Sequence, residues 1–250
     1  METVRAKANI VTVADAQALA ERACELFVTH AQKAVATKGA FCAAISGGHT
    51  PKQFFELLGE EPAASAVPWK DTHLFWVDEH CVPPDSQWSN YKLAADTFLP
   101  KVDIPAESIH RICAESSDCK VAAHSYEETI RKVFGLQPGR LPQFDLIILG
   151  MGADAHTGSL FRNSYAVFEK DDLACAVYFM DGKKNRITLT HPVLCAARDL
   201  VILISGAEKA AALKDVLTSE RDEVQYPIHT IWPILDRVIW LVDSPAAKFL

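Results

Sequence analysis

The sequence predicts an α/β protein with a mainly parallel sheet that is covered by helices on both faces. Three observations lead to this prediction. Short apolar runs, such as residues 40–45 and 146–149, have the length and composition of buried strands. Segments with helical spacing of apolar residues alternate with these runs along the chain. Several of the runs end in glycine and polar residues, where a strand would turn sharply toward a helix.

In the first half of the chain, helices and strands are expected to alternate. Residues 13–36 form a long helix that Asp15 can cap, and residues 40–45 form a strand. Thr50 can cap the helix that follows, with Pro51 in its first turn. A second strand covers residues 73–77 and ends at Asp78-Glu79-His80. A short helix over 89–98 is capped by Ser89 or Asn90.

The second half continues the pattern. A helix is expected over 117–134, a central strand over 145–149 and a strand near an edge of the sheet over 174–180. A strand over 200–205 leads through Gly206 into a helix over 207–217, and a last strand covers 238–242. Proline and glycine near 138–142 indicate a surface loop and not a linker, so residues 1–250 are expected to form a single domain.

Composition excludes several classes of protein. With 49% hydrophobic and 23% charged residues, the 250-residue chain is typical of a soluble globular protein. A net charge of −7 without a basic stripe argues against a nucleic-acid partner, though it is compatible with a small anionic ligand. No apolar stretch is long enough to span a membrane and no secretory signal is evident, which indicates a cytoplasmic location. The seven scattered cysteines include no CxxC pair, so we expect reduced, mostly buried thiols and no metal site.

The strongest functional signal follows the central strand. Gly150 and Gly152 allow the chain to turn off the strand end, and Asp154 and His156 come two residues apart in that turn. Ligands of open α/β sheets bind at the carboxyl ends of strands. The pair therefore indicates a general base, His156, with Asp154 as its orienting partner. The alternative interpretation is a polar connection that only caps the next helix.

Two other strand ends carry polar residues. In Ser46-Gly47-Gly48-His49-Thr50-Pro51, the glycines let backbone amides approach an anion or a sugar at a helix start. This loop lacks the lysine of a nucleotide-binding P-loop. Asp78, directly after an apolar strand, can accept a hydrogen bond from a substrate hydroxyl, whereas Glu79 is expected to be a solvated strand end.

Two cations are candidates for a phosphate site. Lys209 is predicted in the first turn of a helix, where a bound anion would offset the unfavourable interaction of its charge with the helix dipole. Arg186 lies near a strand start and would pair well with a phosphate group. The alternative for both is an ordinary exposed side chain.

Taken in order, these segments resemble the 6-phosphogluconolactonase family, which shares a superfamily with glucosamine-6-phosphate deaminase. The resemblance covers nearly the whole chain and is specific because all segments match in sequence order. The matching segments are Ser46-Gly47-Gly48 with Thr50-Pro51, Trp76-Val77-Asp78-Glu79 with Val82-Pro83, Ser89-Asn90-Tyr91, Leu149-Gly150-Met151-Gly152-x-Asp154-x-His156-Thr157-x-Ser159-Leu160-Phe161, Arg186-Ile187-Thr188 and Gly206-x-x-Lys209.

The resemblance implies a Rossmann-like sheet, no metal and no organic cofactor. It also implies hydrolysis of 6-phospho-D-glucono-1,5-lactone to 6-phospho-D-gluconate in the oxidative pentose phosphate pathway. On this hypothesis His156 and Asp154 are catalytic, and the substrate-binding residues are Ser46, Gly47, Gly48, Thr50, Asp78, Arg186 and Lys209. The only expected partner is a sugar phosphate, and the protein would be a monomer or a homodimer.

Three positions depart from the family pattern. The family usually has Arg at the position of His80, Gly at that of Ala155 and Pro at that of Arg162. A methyl group at 155 would be strained if that residue has a positive φ. Because His80 is shorter than Arg, a contact could be lost, and Arg162 could compensate with a nearby positive charge.

Two alternative functions follow from the same residues. The first is an aldose–ketose isomerase or deaminase that acts on an amino-sugar phosphate. That chemistry needs a further carboxylate near the catalytic turn, yet no acid follows His156 until Glu169. The second is a non-catalytic sugar-phosphate sensor, which the retained Asp154 and His156 argue against.

Overall fold

The computed structural model describes residues 8–116 and 118–250. Their strands form two sheets, one of seven strands in the order β1-β10-β9-β6-β2-β3-β5 and one of three strands in the order β4-β8-β7. The strands are β1 Asn9–Val13, β2 Phe41–Ile45, β3 Thr72–Trp76, β4 Asp78–His80, β5 Ile109–His110, β6 Leu146–Gly150, β7 Ala174–Val177, β8 Arg186–Leu189, β9 Asp199–Ile204 and β10 Val238–Asp243.

All pairings in the large sheet are parallel, so the predicted α/β fold class is confirmed. All five residues of β2, near the middle of the sheet, are buried. Consecutive residues of a strand face opposite sides, so burial of all five means that both faces of the sheet are covered there. The covering helices of the fold are α1 Ala16–Lys38, α2 His49–Leu58, α3 Ala63–Ala66, α4 Asn90–Thr97, α5 Cys119–Phe134, α6 His191–Ala196 and α7 Ala210–Thr218.

The helix starts test the capping predictions. The Asp15 carboxylate accepts a hydrogen bond from the Ala18 amide at 2.9 Å, so its predicted capping role is confirmed. Ser89 caps α4 by accepting from the Lys92 amide at 3.1 Å. The prediction that Thr50 caps the next helix is wrong, because α2 already begins at His49 and Gly48 is the capping residue. Gly48 has a φ of 113°, a conformation that side chains disfavour, so the backbone alone makes this turn.

The small antiparallel sheet is the main departure from the predicted architecture. The strand expected over 174–180 is β7, and it pairs with β8 and not with the parallel sheet. Strand β8 in turn pairs with β4, which directly follows β3 in the chain. Strands β4 and β8 have three and four residues, too short to show a periodic pattern in the sequence. Strand β1 was likewise not predicted, and the predicted helix start at residue 117 lies outside the described residues.

The cysteines differ from expectation in one pair. Cys81 and Cys119 form a disulfide with their Cα atoms 6.3 Å apart, so the prediction of seven reduced thiols is wrong for these two. Of the other five, Cys24 and Cys42 are buried, and burial raises the pKa of each thiol to about 11. None of the helices in the described part of the chain is long and apolar enough to cross a membrane.

Candidate active site

The predicted site residues come together around one cavity of about 800 Å³. It lies where the carboxyl ends of β2, β3 and β6 meet the small sheet, as expected for an open α/β fold. Asp154 is the one predicted residue that does not line this cavity. Those that do are Ser46, Gly47, Gly48, Thr50, Asp78, His156, Arg186 and Lys209.

Asp154 stands behind His156 and holds its ring. The carboxylate makes a short hydrogen bond to Nδ1 of His156 and also accepts from the His156 amide at 3.3 Å. Burial works against ionisation of Asp154, but the hydrogen bonds and charge attraction of His156 outweigh it and lower the pKa of Asp154 to about 2. The carboxylate is therefore ionised at neutral pH and can only accept, so Nδ1 must carry the proton. Nε2 is left as the basic nitrogen of the neutral ring.

The turn that contains Asp154 and His156 is tightly packed. A Cβ atom at Gly152 would lie 2.1 Å from Nδ1 of His156, so only glycine permits the observed ring position. The turn closes through the Gly152 amide, which donates to the His156 carbonyl at 2.9 Å. Ala155 has a φ of 65°, which confirms the positive φ considered from the sequence. Its carbonyl accepts from the Ile228 amide at 3.1 Å, which fixes the turn against the following structure.

Phe161 links the imidazole to the first candidate phosphate ligand. Its ring centroid lies 4.2 Å from that of His156, and the Arg186 guanidinium lies 5.3 Å from the same ring. Phe161 therefore contacts two residues of the cavity wall. No role for Phe161 was predicted, because only the folded chain brings β8 beside the turn.

Arg186 is also tied to Asp78. Its guanidinium lies 3.8 Å from the Asp78 carboxylate, which accepts a hydrogen bond from the Ser159 hydroxyl at 2.7 Å. Asp78 is 4% exposed, and this burial raises its pKa against the opposing effects of Arg186 and Ser159. The prediction that Asp78 accepts from a substrate hydroxyl is untested. The contacts present are the ion-pair distance to Arg186 and the hydrogen bond from Ser159.

Glu79 corrects the expectation of a solvated strand end. Its side chain is buried, and its two oxygens accept four hydrogen bonds at 2.7–2.9 Å. The donors are the amides of His80, Asn90 and Tyr91 and the hydroxyl of Ser89. Glu79 thereby anchors the start of α4 to β4. A capping role across ten residues has no local sequence signal, because the usual capping box spans three.

The anchored Asn90 shapes the glycine loop. Its side-chain amide donates to the Asp78 carbonyl at 2.8 Å, and a Cβ at Gly47 would lie 2.0 Å from its Oδ1 atom. Gly47 is therefore required for the close approach of the loop and α4. Next to it, the Ser46 hydroxyl is buried and has no hydrogen-bond partner within residues 8–116 and 118–250. An unpartnered hydroxyl in a cavity wall is suited to a ligand, because leaving it unbonded costs free energy.

Lys209 and Arg162 complete the candidate cations. Lys209 lies in the short 3₁₀ turn before α7 and lines the cavity. Arg162 does not line it, since its guanidinium stacks over the Tyr226 ring at 5.7 Å. The expectation that Arg162 supplies a compensating charge to the site is therefore wrong. Among the described residues, no group of three or more His, Cys, Asp or Glu is placed to share a metal ion.

Comparison with known proteins agrees with this geometry. The family model for glucosamine-6-phosphate isomerases/6-phosphogluconolactonase matches residues 14–240. A 6-phosphogluconolactonase of Nostoc sp. is 38% identical over 98% of this chain and 99% of its own length. A 6-phosphogluconolactonase of Synechocystis sp. is 39% identical over 94% of this chain and 95% of its own.

The three-dimensional comparison gives the same result. The crystal structure of 6-phosphogluconolactonase from Thermotoga maritima superposes with a TM-score of 0.79 at 28% identity, covering 94% of this chain and 99% of that one. The cavity, the Asp154–His156 turn and the full-length similarity have one common explanation. The chain belongs to the glucosamine-6-phosphate isomerase/6-phosphogluconolactonase family.

Proposed function

We propose that this protein hydrolyses 6-phospho-D-glucono-1,5-lactone to 6-phospho-D-gluconate, the lactonase step of the oxidative pentose phosphate pathway. One observation carries the proposal. A single cavity holds an imidazole oriented by an ionised carboxylate together with two cations, Arg186 and Lys209. The first combination suits ester hydrolysis and the second suits a phosphate group. The names of the similar proteins from Nostoc sp. and Synechocystis sp. support the same substrate.

His156 acts as the general base in this mechanism. A lactone is an activated ester, so water is a sufficient nucleophile and no serine nucleophile is needed. Nε2 takes a proton as the water oxygen bonds to C1 of the lactone. When the tetrahedral intermediate collapses, the bond from C1 to the ring oxygen breaks and Nε2 returns the proton to that oxygen. Such acid–base catalysis contributes about 10²–10⁴-fold in rate.

The glycine loop supports the developing negative charge. Gly47 and Gly48 line the cavity and directly precede the ten-residue helix α2, whose N-terminus is the positive end of the helix dipole. An oxyanion on C1 would accept hydrogen bonds from the backbone amides of Gly47 and Gly48. The unpartnered Ser46 hydroxyl and the Thr50 side chain, in the same wall, would bind sugar hydroxyls.

Substrate selectivity tests the proposal. The purified protein should accelerate hydrolysis of the phosphorylated lactone well above the spontaneous rate, and act poorly on unphosphorylated gluconolactone. Arg186→Ala and Lys209→Ala should each raise KM by the equivalent of about 1.5–3 kcal/mol, because each removes a charged hydrogen bond to phosphate. Both variants should change little with the unphosphorylated lactone.

The proposal fails if the phosphorylated lactone disappears no faster with the protein than without it. Turnover of glucosamine 6-phosphate instead would favour the deaminase alternative. If Arg186→Ala raises KM equally for the phosphorylated and the unphosphorylated lactone, Arg186 does not contact the phosphate. Lys70→Ala is the matched control for loss of a positive charge, since Lys70 is an exposed lysine outside the cavity that forms a pair with Asp103 at 3.2 Å.

A further inference from the structure

The positive charge available to a phosphate in this cavity is partly neutralised. A phosphate monoester carries about −1.5 to −2 charges at neutral pH. Arg186 already lies 3.8 Å from Asp78. Lys209 is next to Glu208, which also lines the cavity. Lys52, which also lines the cavity, lies 3.6 Å from Glu56. Each of these three permanent cations therefore has an acidic neighbour, and a further positive charge at this wall would strengthen binding.

His80 occupies the position where such a charge would act. It is the last residue of β4 and the register partner of Arg186 in β8. Residues directly opposite each other in an antiparallel pair have Cβ atoms about 4.5–5.5 Å apart and share one face. His80 lines the same cavity as Arg186, with 13% of its side chain exposed.

The His80 ring has no structural hydrogen bond that would explain a histidine here. Its Nδ1 atom is buried without a partner in the described parts of the chain, and the nearest carboxylate oxygen, on Glu79, is 3.8 Å away. His229 shows the contrast of a histidine with a structural role. Its Nδ1 accepts from the Asp222 amide and its Nε2 lies 2.9 Å from the Val216 carbonyl oxygen.

We propose that His80 is a third contact for the phosphate group and that its protonation makes substrate affinity depend on pH. The inference rests on the proposed function, since it assigns a further binding residue to the same site. Histidine is the side chain that ordinarily changes charge between about pH 5 and 8. A phosphorylated ligand that is bound through an imidazolium therefore loses affinity at higher pH, where a histidine is ordinarily neutral, whereas arginine and lysine ordinarily keep their charge in this range.

Other ionisable groups share the environment of His80 and must be separated from it. Asp78 and Glu79 precede it on β4, and Arg186 faces it from β8. The remaining ionisable side chains in the cavity wall are His49, Lys52, His156, Glu208 and Lys209. The phosphate itself also titrates, with a second pKa of about 6. A comparison between variants that differ only at residue 80 removes these shared contributions.

The experiment measures the dissociation constant of 6-phosphogluconate by calorimetry from about pH 5 to 8 for wild type, His80→Arg and His80→Gln. Arginine keeps its charge over this range, and glutamine has none. At the acidic end, wild type should bind about as tightly as His80→Arg. At the basic end the dissociation constant of wild type should approach that of His80→Gln. The ratio of the wild-type dissociation constant to that of His80→Arg should therefore rise about tenfold or more between the two ends.

A wild-type to arginine ratio that stays constant across the range would overturn the proposal, as would failure of wild type to bind 6-phosphogluconate at all. If circular dichroism shows that the larger arginine prevents folding, the ratio of the dissociation constants of wild type and His80→Gln is used instead. A ratio that stays constant across the pH range would again overturn the proposal. Gluconate should show no pH-dependent difference between the variants. The rate of wild type with the lactone tests the proposed function separately, so the two can fail independently.

Discussion

At the scale of single residues, the hydrogen bond between Asp154 and His156 determines which imidazole nitrogen carries the proton in the neutral ring. The ionised carboxylate accepts from Nδ1, and the pKa of Asp154 is lowered to about 2, so this arrangement persists through the physiological pH range. The neutral imidazole then presents Nε2 as the base. Asp154 need not contact the substrate to matter, because its effect is exerted through the tautomer and orientation of the ring.

Replacing Asp154 by Asn tests this role. The asparagine amide can donate a hydrogen bond to Nδ1, which would place the proton on Nε2 and remove the base. We expect kcat to fall by about 10²-fold or more while KM changes little. Asp96→Asn, at an exposed residue of α4 paired with Lys92, is the matched control and should retain wild-type kcat. An unchanged kcat in Asp154→Asn would contradict the orienting role.

Ala155 tests the backbone of the catalytic turn. A left-handed φ of 65° costs an alanine about 1–2 kcal/mol, and the buried methyl group returns about 0.8 kcal/mol. Ala155→Gly should therefore stabilise the fold by up to about 1 kcal/mol. Ala36→Gly, at an exposed position of helix α1, should instead destabilise by about 0.5–1 kcal/mol. Chemical denaturation measures both, and a lower stability for Ala155→Gly would show that the turn is not strained.

At the scale of elements, Glu79 connects β4 to α4 and thereby to the glycine loop. Three of its four donors, on Ser89, Asn90 and Tyr91, lie at the start of α4. Asn90 packs against Gly47, which precedes α2. Three elements around the cavity therefore depend on one buried carboxylate. The arrangement explains why a buried acidic side chain that does not line the cavity lies between two residues that do, Asp78 and His80.

Glu79→Gln should damage both stability and activity. In glutamine an NH₂ group replaces one of the two carboxylate oxygens. This group can only donate hydrogen bonds, so it would face other donors and leave buried groups unsatisfied. The free energy of unfolding should fall by about 2–5 kcal/mol. Glu56→Gln, on an exposed salt bridge of α2, should cost less than about 1 kcal/mol. Thermal melting and lactone turnover measure the two effects. Similar losses in the two variants would contradict the anchoring role of Glu79.

The local signals in the sequence were sufficient for the strands that end at the cavity and for the Asp154–His156 turn. Apolar runs followed by glycine located β2 and β6, and the acid and histidine lie within one short turn. Glu79 and Asn90 were not recognised, because their contacts join residues more than one turn apart. The short strands β4 and β8 were missed because their pairing, and not their composition, makes them strands.

At the scale of the whole molecule, the cavity is formed between two sheets of different construction. The parallel sheet supplies the glycine loop and the catalytic turn, and the antiparallel sheet supplies Arg186 and His80. No pattern in the sequence predicts how the two sheets are placed relative to each other. Arg186 was predicted from its chemistry alone, and only the pairing of β4 with β8 explains its position beside Asp78.

The far edge of the parallel sheet carries a pair of histidines that should govern acid stability. Nδ1 of His73 lies 3.0 Å from Nε2 of His110 in the neighbouring strand. Burial lowers the pKa of His73, and burial with the added charge of His73 lowers the pKa of His110 to about 4. The folded state thus prefers both rings neutral, while the unfolded chain takes up protons near pH 6.5. Stability is fully present above about pH 6.5 and is lost as pH falls toward about 4.

His110→Gln should make this loss shallower, since the variant keeps a polar partner for His73 but cannot titrate. His124→Gln, at an exposed position of α5, is the matched control and should leave the profile unchanged. Melting temperatures recorded across the acidic range measure the slope. Parallel profiles for wild type and His110→Gln would show that this pair does not contribute.

The most direct test of the central claim is the rate of hydrolysis of 6-phospho-D-glucono-1,5-lactone by His156→Ala, corrected for the spontaneous reaction. The account predicts a loss of about 10²–10⁴-fold in kcat with the fold intact by circular dichroism. It also predicts that the variant still binds 6-phosphogluconate, because Arg186 and Lys209 remain. Near-normal turnover by His156→Ala would contradict the assignment of the general base and with it the proposed mechanism.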